Sequence, residues 1–362
     1  MAVVGMCRRV VGPVVAAALM VGAVGAVPAQ AAQASGPADY AAQAGRAADY
    51  IDGHQADLTK NKLGPQLDGA LALVAAGRKG SPTVAKVKDS IKAQGPSYCT
   101  RMNVGGCAKV VITLLALGES TTYGGFDYAA PVTSASRFAE HPFHQALDMI
   151  ALERLGKPIP QKLLDLVTDY AMTTSMLPAG TGGLVSTDGV MLTALSHVEF
   201  PGKQKAVTSL VKRLDDDRQD GAWGSKGQGA GVRATTRVAP GLYRAGDAAH
   251  RAQAVAGQKW LVGQQQSDGS FLSPVKTPEW RMMATVQAVP VLRGLQSFDT
   301  IGTHPPRRLV TMTVLGDSYS AGNGTLVDGY RPMDRIAAPR TTVRYSPACS
   351  TRKARTRRTN ST

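Results

Sequence analysis

The sequence predicts a mainly α chain, with helical hairpins over residues 36–300 and a short α/β segment after them. Three observations carry that prediction. Apolar helical stretches close on glycine at Gly77 (LDGALALVAAG), Gly118 (CAKVVITLLALG), Gly156, Gly246 and Gly294, and a related stretch, DGVMLTALS, ends at Ser196. The successive spacings are 41, 38, 40, 50 and 48 residues. Glycine just past a helix can enter the left-handed conformation that ends it. Between these stretches lie Gly-rich turns followed by an apolar residue: Gly124-Gly125-Phe126, Gly182-Gly183-Leu184, Asp220-Gly221-Ala222-Trp223 and Asp268-Gly269-Ser270-Phe271. Finally, Leu309 to Leu315 is an apolar, β-branched run that enters a sharp turn at Gly316-Asp317-Ser318, which reads as a buried strand. Composition agrees. With 43% hydrophobic and 19% charged residues, wholesale disorder is excluded, and 5% aromatics favours close-packed helices.

At the N-terminus, Arg8 and Arg9 precede an apolar run from Val10 to Val27, and Ala29-Gln30-Ala31 supplies a small-x-small cleavage site. Residues 1–31 therefore read as a secretory signal peptide. A membrane anchor is the alternative, but about 18 residues interrupted by Pro13 is at the lower edge for spanning. The expected product is secreted, is not an integral membrane protein, and has cysteines under oxidising conditions. Cys99 and Cys107 flank a short segment, TRMNVGG, read as a loop. A local disulfide is favoured over a metal site there, because no histidine or third cysteine completes zinc ligation. Cys349 is left odd, and its state is open.

One hairpin cannot bury its own apolar face, so neighbours must stack, as an open solenoid or a closed ring. The last two units align without gaps at an offset of 48, pairing Asp220-Gly221 with Asp268-Gly269 and Trp223 with Phe271. WLVGQQQSDGSF, from Trp260 to Phe271, and the weaker RLDDDRQDGAW resemble the Q-x-x-D-G-x-[FW] repeat of the α/α-toroid proteins, the group of terpene cyclases, protein prenyltransferase β-subunits and cobalamin carriers. The resemblance covers residues 36–300 and implies a six-hairpin α/α toroid, in which Asp-Gly forms the turn and the aromatic plugs the helix ends.

The catalytic signatures of those relatives do not carry over. Squalene-type cyclases use an Asp-x-Asp-Asp acid. The nearest candidate, Asp215-Asp216-Asp217, reads as a solvated helix end beside Arg213 and Arg218. His141, His144 and Asp148 place two imidazoles and a carboxylate near one another, but a further ligand is missing, so ordinary buried or surface histidines are the expectation. Neither a metal nor a cofactor is expected. The toroid reads as a binding or scaffolding module able to hold an apolar or polymeric ligand.

After a Pro-rich linker at 301–308 comes LVTMTVLGDSYSAGNGT. This resembles the first block of the secreted SGNH (GDSL-type) hydrolases, in the G-D-S-Y-S-x-G-x-G form, over about residues 309–330. The resemblance implies that Ser318 is the nucleophile and that its N–H is one oxyanion donor. It also implies that Asp317 positions the turn and that Gly322 and Gly324 allow close backbone approach. Serine needs a base, which this family supplies from an Asp-x-x-His block. No histidine follows His304, so residues 309–348 are expected to be an incomplete, truncated or frame-shifted SGNH segment, and 349–362 a disordered basic tail.

The net charge of +15 is concentrated there: residues 304–362 hold eleven Lys/Arg against three Asp. A charge so localised does not point to nucleic acid. Function at this level has three readings. The first is a secreted esterase or lipase lineage acting on an acyl ester or lipid-like small molecule, with little or no activity in this chain. The second is a toroid binding module without catalysis, and the third, less favoured, is a terpene cyclase-like enzyme.

Overall fold

The computed structural model describes residues 36–303, except 61, 102, 135–137, 139–140, 174–183 and 225–228. The expected signal peptide, the linker from His304 onward, the hydrolase-like segment, the basic tail, Gly182-Gly183 and Cys349 lie outside these described residues. The described residues are mainly α, with thirteen helices and two short antiparallel hairpins. The helices are α1 (Ala41–Gly53), α2 (Gln55–Thr59), α3 (Leu63–Ala75), α4 (Pro82–Arg101), α5 (Asn103–Leu117), α6 (Ala129–Thr133) and α7 (Pro142–Arg154). They continue with α8 (Gln161–Met172), α9 (Leu184–Leu195), α10 (Lys203–Asp216), α11 (Val232–Ala245), α12 (Ala248–Gly263) and α13 (Pro278–Leu292). The hairpins are β1 (Thr122–Tyr123) with β2 (Phe126–Asp127), and β3 (Arg218–Gln219) with β4 (Ala222–Trp223).

Two kinds of helix follow from two sequence patterns. α3 reads LGPQLDGALALVA, apolar around most of its circumference, and nearly all of it is buried. α10 reads KQKAVTSLVKRLDD and buries one stripe, Ala206, Val207, Leu210, Val211 and Leu214. A helix apolar all round needs neighbours on every side, whereas a striped one can face water. Accordingly α3 packs on α5, α5 on α7, α7 on α9, α9 on α11, α11 on α13, and α13 back on α3. The striped helices lie against this central series: α4 on α3 and α5, α8 on α7, α10 on α9, and α12 on α11 and α13. The α9–α11 contact is backbone to backbone. A Cβ added at Gly189 would strike the Arg237 carbonyl, and one at Gly241 would strike the Gly189 carbonyl.

The two ends of the described chain meet. Gln258, fully buried on α12, donates to the Ala38 and Val291 carbonyls at 2.8 and 2.7 Å and accepts from the Ala38 N–H at 3.1 Å. Asp39 pairs with Arg293 at 2.7 Å, and Gln265 donates to the Gln43 carbonyl at 2.8 Å. First and last hairpins thus share hydrogen bonds across some 220 residues of sequence.

Gly77, Gly118 and Gly156 end α3, α5 and α7 with φ of 79°, 67° and 66°. Each makes the paired hydrogen bonds that cap a helix through a left-handed residue, for example Gly77 N–H to Val74 O and Arg78 N–H to Leu73 O. Gly246 departs from that expectation, since its φ is −79°. It serves by lacking a side chain, because a Cβ there would lie 2.5 Å from His250 Cβ and from the Leu242 carbonyl. Asp247 then caps α12 by accepting from the His250 N–H.

The Gly turns form as expected at Gly124-Gly125 and Asp220-Gly221, where both central residues have positive φ and join two-residue hairpins. Trp223 and Phe271 are fully buried plugs, and each donates its backbone N–H to a threonine hydroxyl on the next central helix, Thr235 at 3.1 Å and Thr285 at 2.9 Å. The gap to that threonine is 12 residues in one unit and 14 in the other, so the gapless 48-residue register holds through the turn and ends there. In the first hairpin the plug is Tyr128, fully buried with its hydroxyl on the Ile91 carbonyl, and not Phe126, which stays half-buried.

Cys99 and Cys107 form a disulfide. The residues between them are not the expected loop: α4 runs through Arg101 and α5 begins at Asn103, so the bond staples two helix ends. After α13, residues 294–301 turn inward. Leu295, Phe298 and Ile301 are buried, Arg154 on α7 donates to the Phe298 carbonyl at 2.6 Å, and Asp299 bonds Arg244 at 2.6 Å and His197 at 2.8 Å. This segment is pinned by residues at the C-terminal ends of α7, α9 and α11. Among the described residues, no helix is long and apolar enough to cross a membrane.

Candidate functional site

A cavity of about 600 Å³ opens where the central helices begin. From α3 come Gly64, Pro65 and Asp68, from α4 Tyr98, and from α5 Lys109. The start of α7 supplies His141, Phe143 and His144, and the start of α9 Ser186 and Thr187. Arg233 and Arg237 of α11 and Met283 and Gln287 of α13 complete the wall. Beneath Asp68, Arg237 and Gln287 is a second void of about 20 Å³, room for roughly one water. Phe298 lines that lower void, with the Arg237 guanidinium over its ring at 4.5 Å.

The charges here are unbalanced. Lys109 lies 3.0 Å from Asp68 and also donates to the Gly64 carbonyl at 2.9 Å. Arg237 reaches the other Asp68 oxygen at 3.6 Å. One carboxylate therefore serves two buried cations. Arg233 has no ion pair among the described residues; its guanidinium lies 4.4 Å from the centre of the Trp280 ring, and its buried Nε has no hydrogen-bond partner. Lys62 adds a fourth cation at the wall. Burial pushes the Lys109 ammonium below its usual range, against the pull of Asp68, and burial likewise lowers Arg237. Arg233 is lowered by burial and then by the neighbouring charge of Arg237. His144 is driven down to about 4 by burial, with His141 and Lys109 adding repulsion, so it is neutral near pH 7.

The residues singled out from sequence fall as follows. Ser318, Asp317, Gly322 and Gly324 lie outside the described residues. His141 and His144 both line the cavity, with ring centres 5.7 Å apart, but His141 Nδ1 accepts the Phe143 N–H and caps α7. Asp148 is fully buried farther along α7. No group of three His, Cys, Asp or Glu that could hold a metal occurs among the described residues. Asp215 and Asp216 are exposed at the end of α10, as a solvated terminus should be. Arg213, read as part of that exposed cluster, instead turns inward and forms two hydrogen bonds to buried Asp188, at 2.8 and 2.9 Å. Tyr170 also donates to Asp188 at 2.6 Å, and burial with that carboxylate raises the phenol far above its normal range.

Sequence reading passed over Asp68, Lys109, Arg233 and Arg237. A signal was present. Asp68, Lys109, Asp148, Asp188 and Arg237 each stand eight or nine positions before the residue that closes their apolar stretch. An ionisable residue recurring at one register inside otherwise apolar helices needs a partner, because an unpaired buried charge is costly. No protein-family model matches the sequence, and no curated protein matches it.

Proposed function

We propose that residues 36–300 form a six-hairpin α/α toroid whose cavity binds a small molecule with an apolar body, as a binding module without catalysis of its own. The cavity carries the reading. Its volume, about 600 Å³, is in the range that buries a small ligand, and it combines apolar and aromatic lining with a few convergent polar groups. The return of α13 onto α3 supports the toroid, as do the shared hydrogen bonds of first and last hairpins. Fluorescence of the uncharged dye Nile red tests the binding reading. The full chain is expected to bind it, and Ser186→Trp, which fills the cavity, is expected to abolish binding with an unchanged melting temperature. Undiminished dye binding by that variant overturns the reading.

A second reading keeps the ester hydrolase lineage, on the strength of the strand-then-G-D-S-Y-S-x-G-x-G pattern at residues 309–324. In it Ser318 is the nucleophile of an exported ester-cleaving lineage, with little or no activity expected of this chain without a histidine base. Hydrolysis of p-nitrophenyl acetate that disappears in Ser318→Ala supports it, and hydrolysis unaffected by that change removes it.

A further inference from the structure

We infer that the cavity takes an amphiphilic carboxylate, whose head group is held side-on by Arg233 and whose apolar chain lies against Pro65, Tyr98, Phe143 and Met283. The inference rests on the cavity being a ligand site and adds the chemistry of the ligand. Four cations, Lys62, Lys109, Arg233 and Arg237, line the wall against one carboxylate, Asp68. Lys109 and Arg237 share that carboxylate and Lys62 is exposed to solvent, so Arg233 is the half-buried cation left over. Its Nε is buried without a hydrogen-bond partner, and a buried donor left unbonded is unfavourable unless something arrives to accept from it.

The shape and charge of Arg233 select the anion. The Trp280 ring lies 4.4 Å from the guanidinium carbon. Nε–H and one Nη–H form a flat two-pronged donor, which matches two oxygens of a carboxylate or of a phosphate, so charge decides between them. Lys109 and Arg237 are engaged by Asp68, Lys62 is exposed, His144 is neutral near pH 7 and Ser186 and Thr187 are uncharged, so the single charge of Arg233 faces the head group and suits a monoanion. The apolar lining faces the same space and accounts for the chain.

Displacement of Nile red from the full chain by dodecanoate, dodecanol and dodecyl phosphate tests this. Dodecanoate is expected to bind at least about tenfold more tightly than dodecanol, the scale of one charge-assisted hydrogen bond. Arg233→Gln is expected to remove that advantage and leave dodecanol unchanged, while Arg233→Lys, which keeps the charge and loses the fork, is expected to keep only part of it. Equal binding of dodecanoate and dodecanol overturns the head-group assignment while leaving the cavity a ligand site. Tighter binding of dodecyl phosphate overturns the choice of carboxylate, and an Arg233→Gln variant that binds dodecanoate normally overturns the role of Arg233. Dye binding that Ser186→Trp does not disturb defeats the underlying cavity reading instead.

Discussion

Asp68 and Asp299 are both buried carboxylates with two basic neighbours, at opposite ends of the central helices. Asp299 holds Arg244 at 2.6 Å and His197 at 2.8 Å, and the segment it fixes is closed against the C-terminal ends of α7, α9 and α11. Burial works against its ionisation, but Arg244 and His197 outweigh that and keep its carboxyl below the ordinary range. Asp68 holds Lys109 at 3.0 Å and Arg237 only at 3.6 Å, beside an open cavity and an unpaired third cation. Short ion pairs closed in by packing latch a chain segment in place, while longer ones beside empty volume and a third cation without an ion pair among the described residues leave attraction to spare for a ligand.

The largest expected effect separates the two ends directly. Asp299→Ala strands Arg244 without its carboxylate and releases the segment around Phe298, and is expected to destabilise by about 3–5 kcal/mol. Asp68→Asn keeps its volume beside a cavity that water can enter, and is expected to cost less than half as much. Urea unfolding of both variants checks this, and equal losses would erase the distinction between latch and site.

Next in size is the acid limb of stability. The fold favours neutral His144, whose value falls to about 4. Its contribution is complete above the unfolded value of about 6.5 and is lost as pH drops from there towards 4, a change of about 3 kcal/mol. His144→Gln should flatten that limb. The smallest effect has the opposite sign. The hydrogen bond to Asp299 raises His197, so its contribution is complete below about 6.5 and is lost as pH rises through the higher folded value. Unfolding free energies between pH 4 and 9, compared with His197→Gln, resolve the two limbs.

Helix ends and turns were the legible part of the sequence, because Gly77, Gly118, Gly156 and Asp220-Gly221 act through local backbone geometry. Tyr128 was misjudged in favour of Phe126 because which of two nearby aromatics points inward depends on how the hairpin twists against α4. The span between the cysteines was taken for a loop because its glycines outweighed the helices on either side. The cation cluster stayed hidden for a different reason. Lys109 and Arg237 are single charges in separate apolar helices, 128 positions apart, and only the return of α13 and α11 towards α3 gives them Asp68 in common.

The glycine contact between α9 and α11 has one more consequence. With Gly189 and Gly241 already backbone against backbone, neither position can take a side chain, and the separation of α9 and α11 is set. Variation in ligand preference would therefore have to enter through side chains that face the cavity, such as Pro65, Phe143, Arg233 and Met283, and not through the spacing of those two helices.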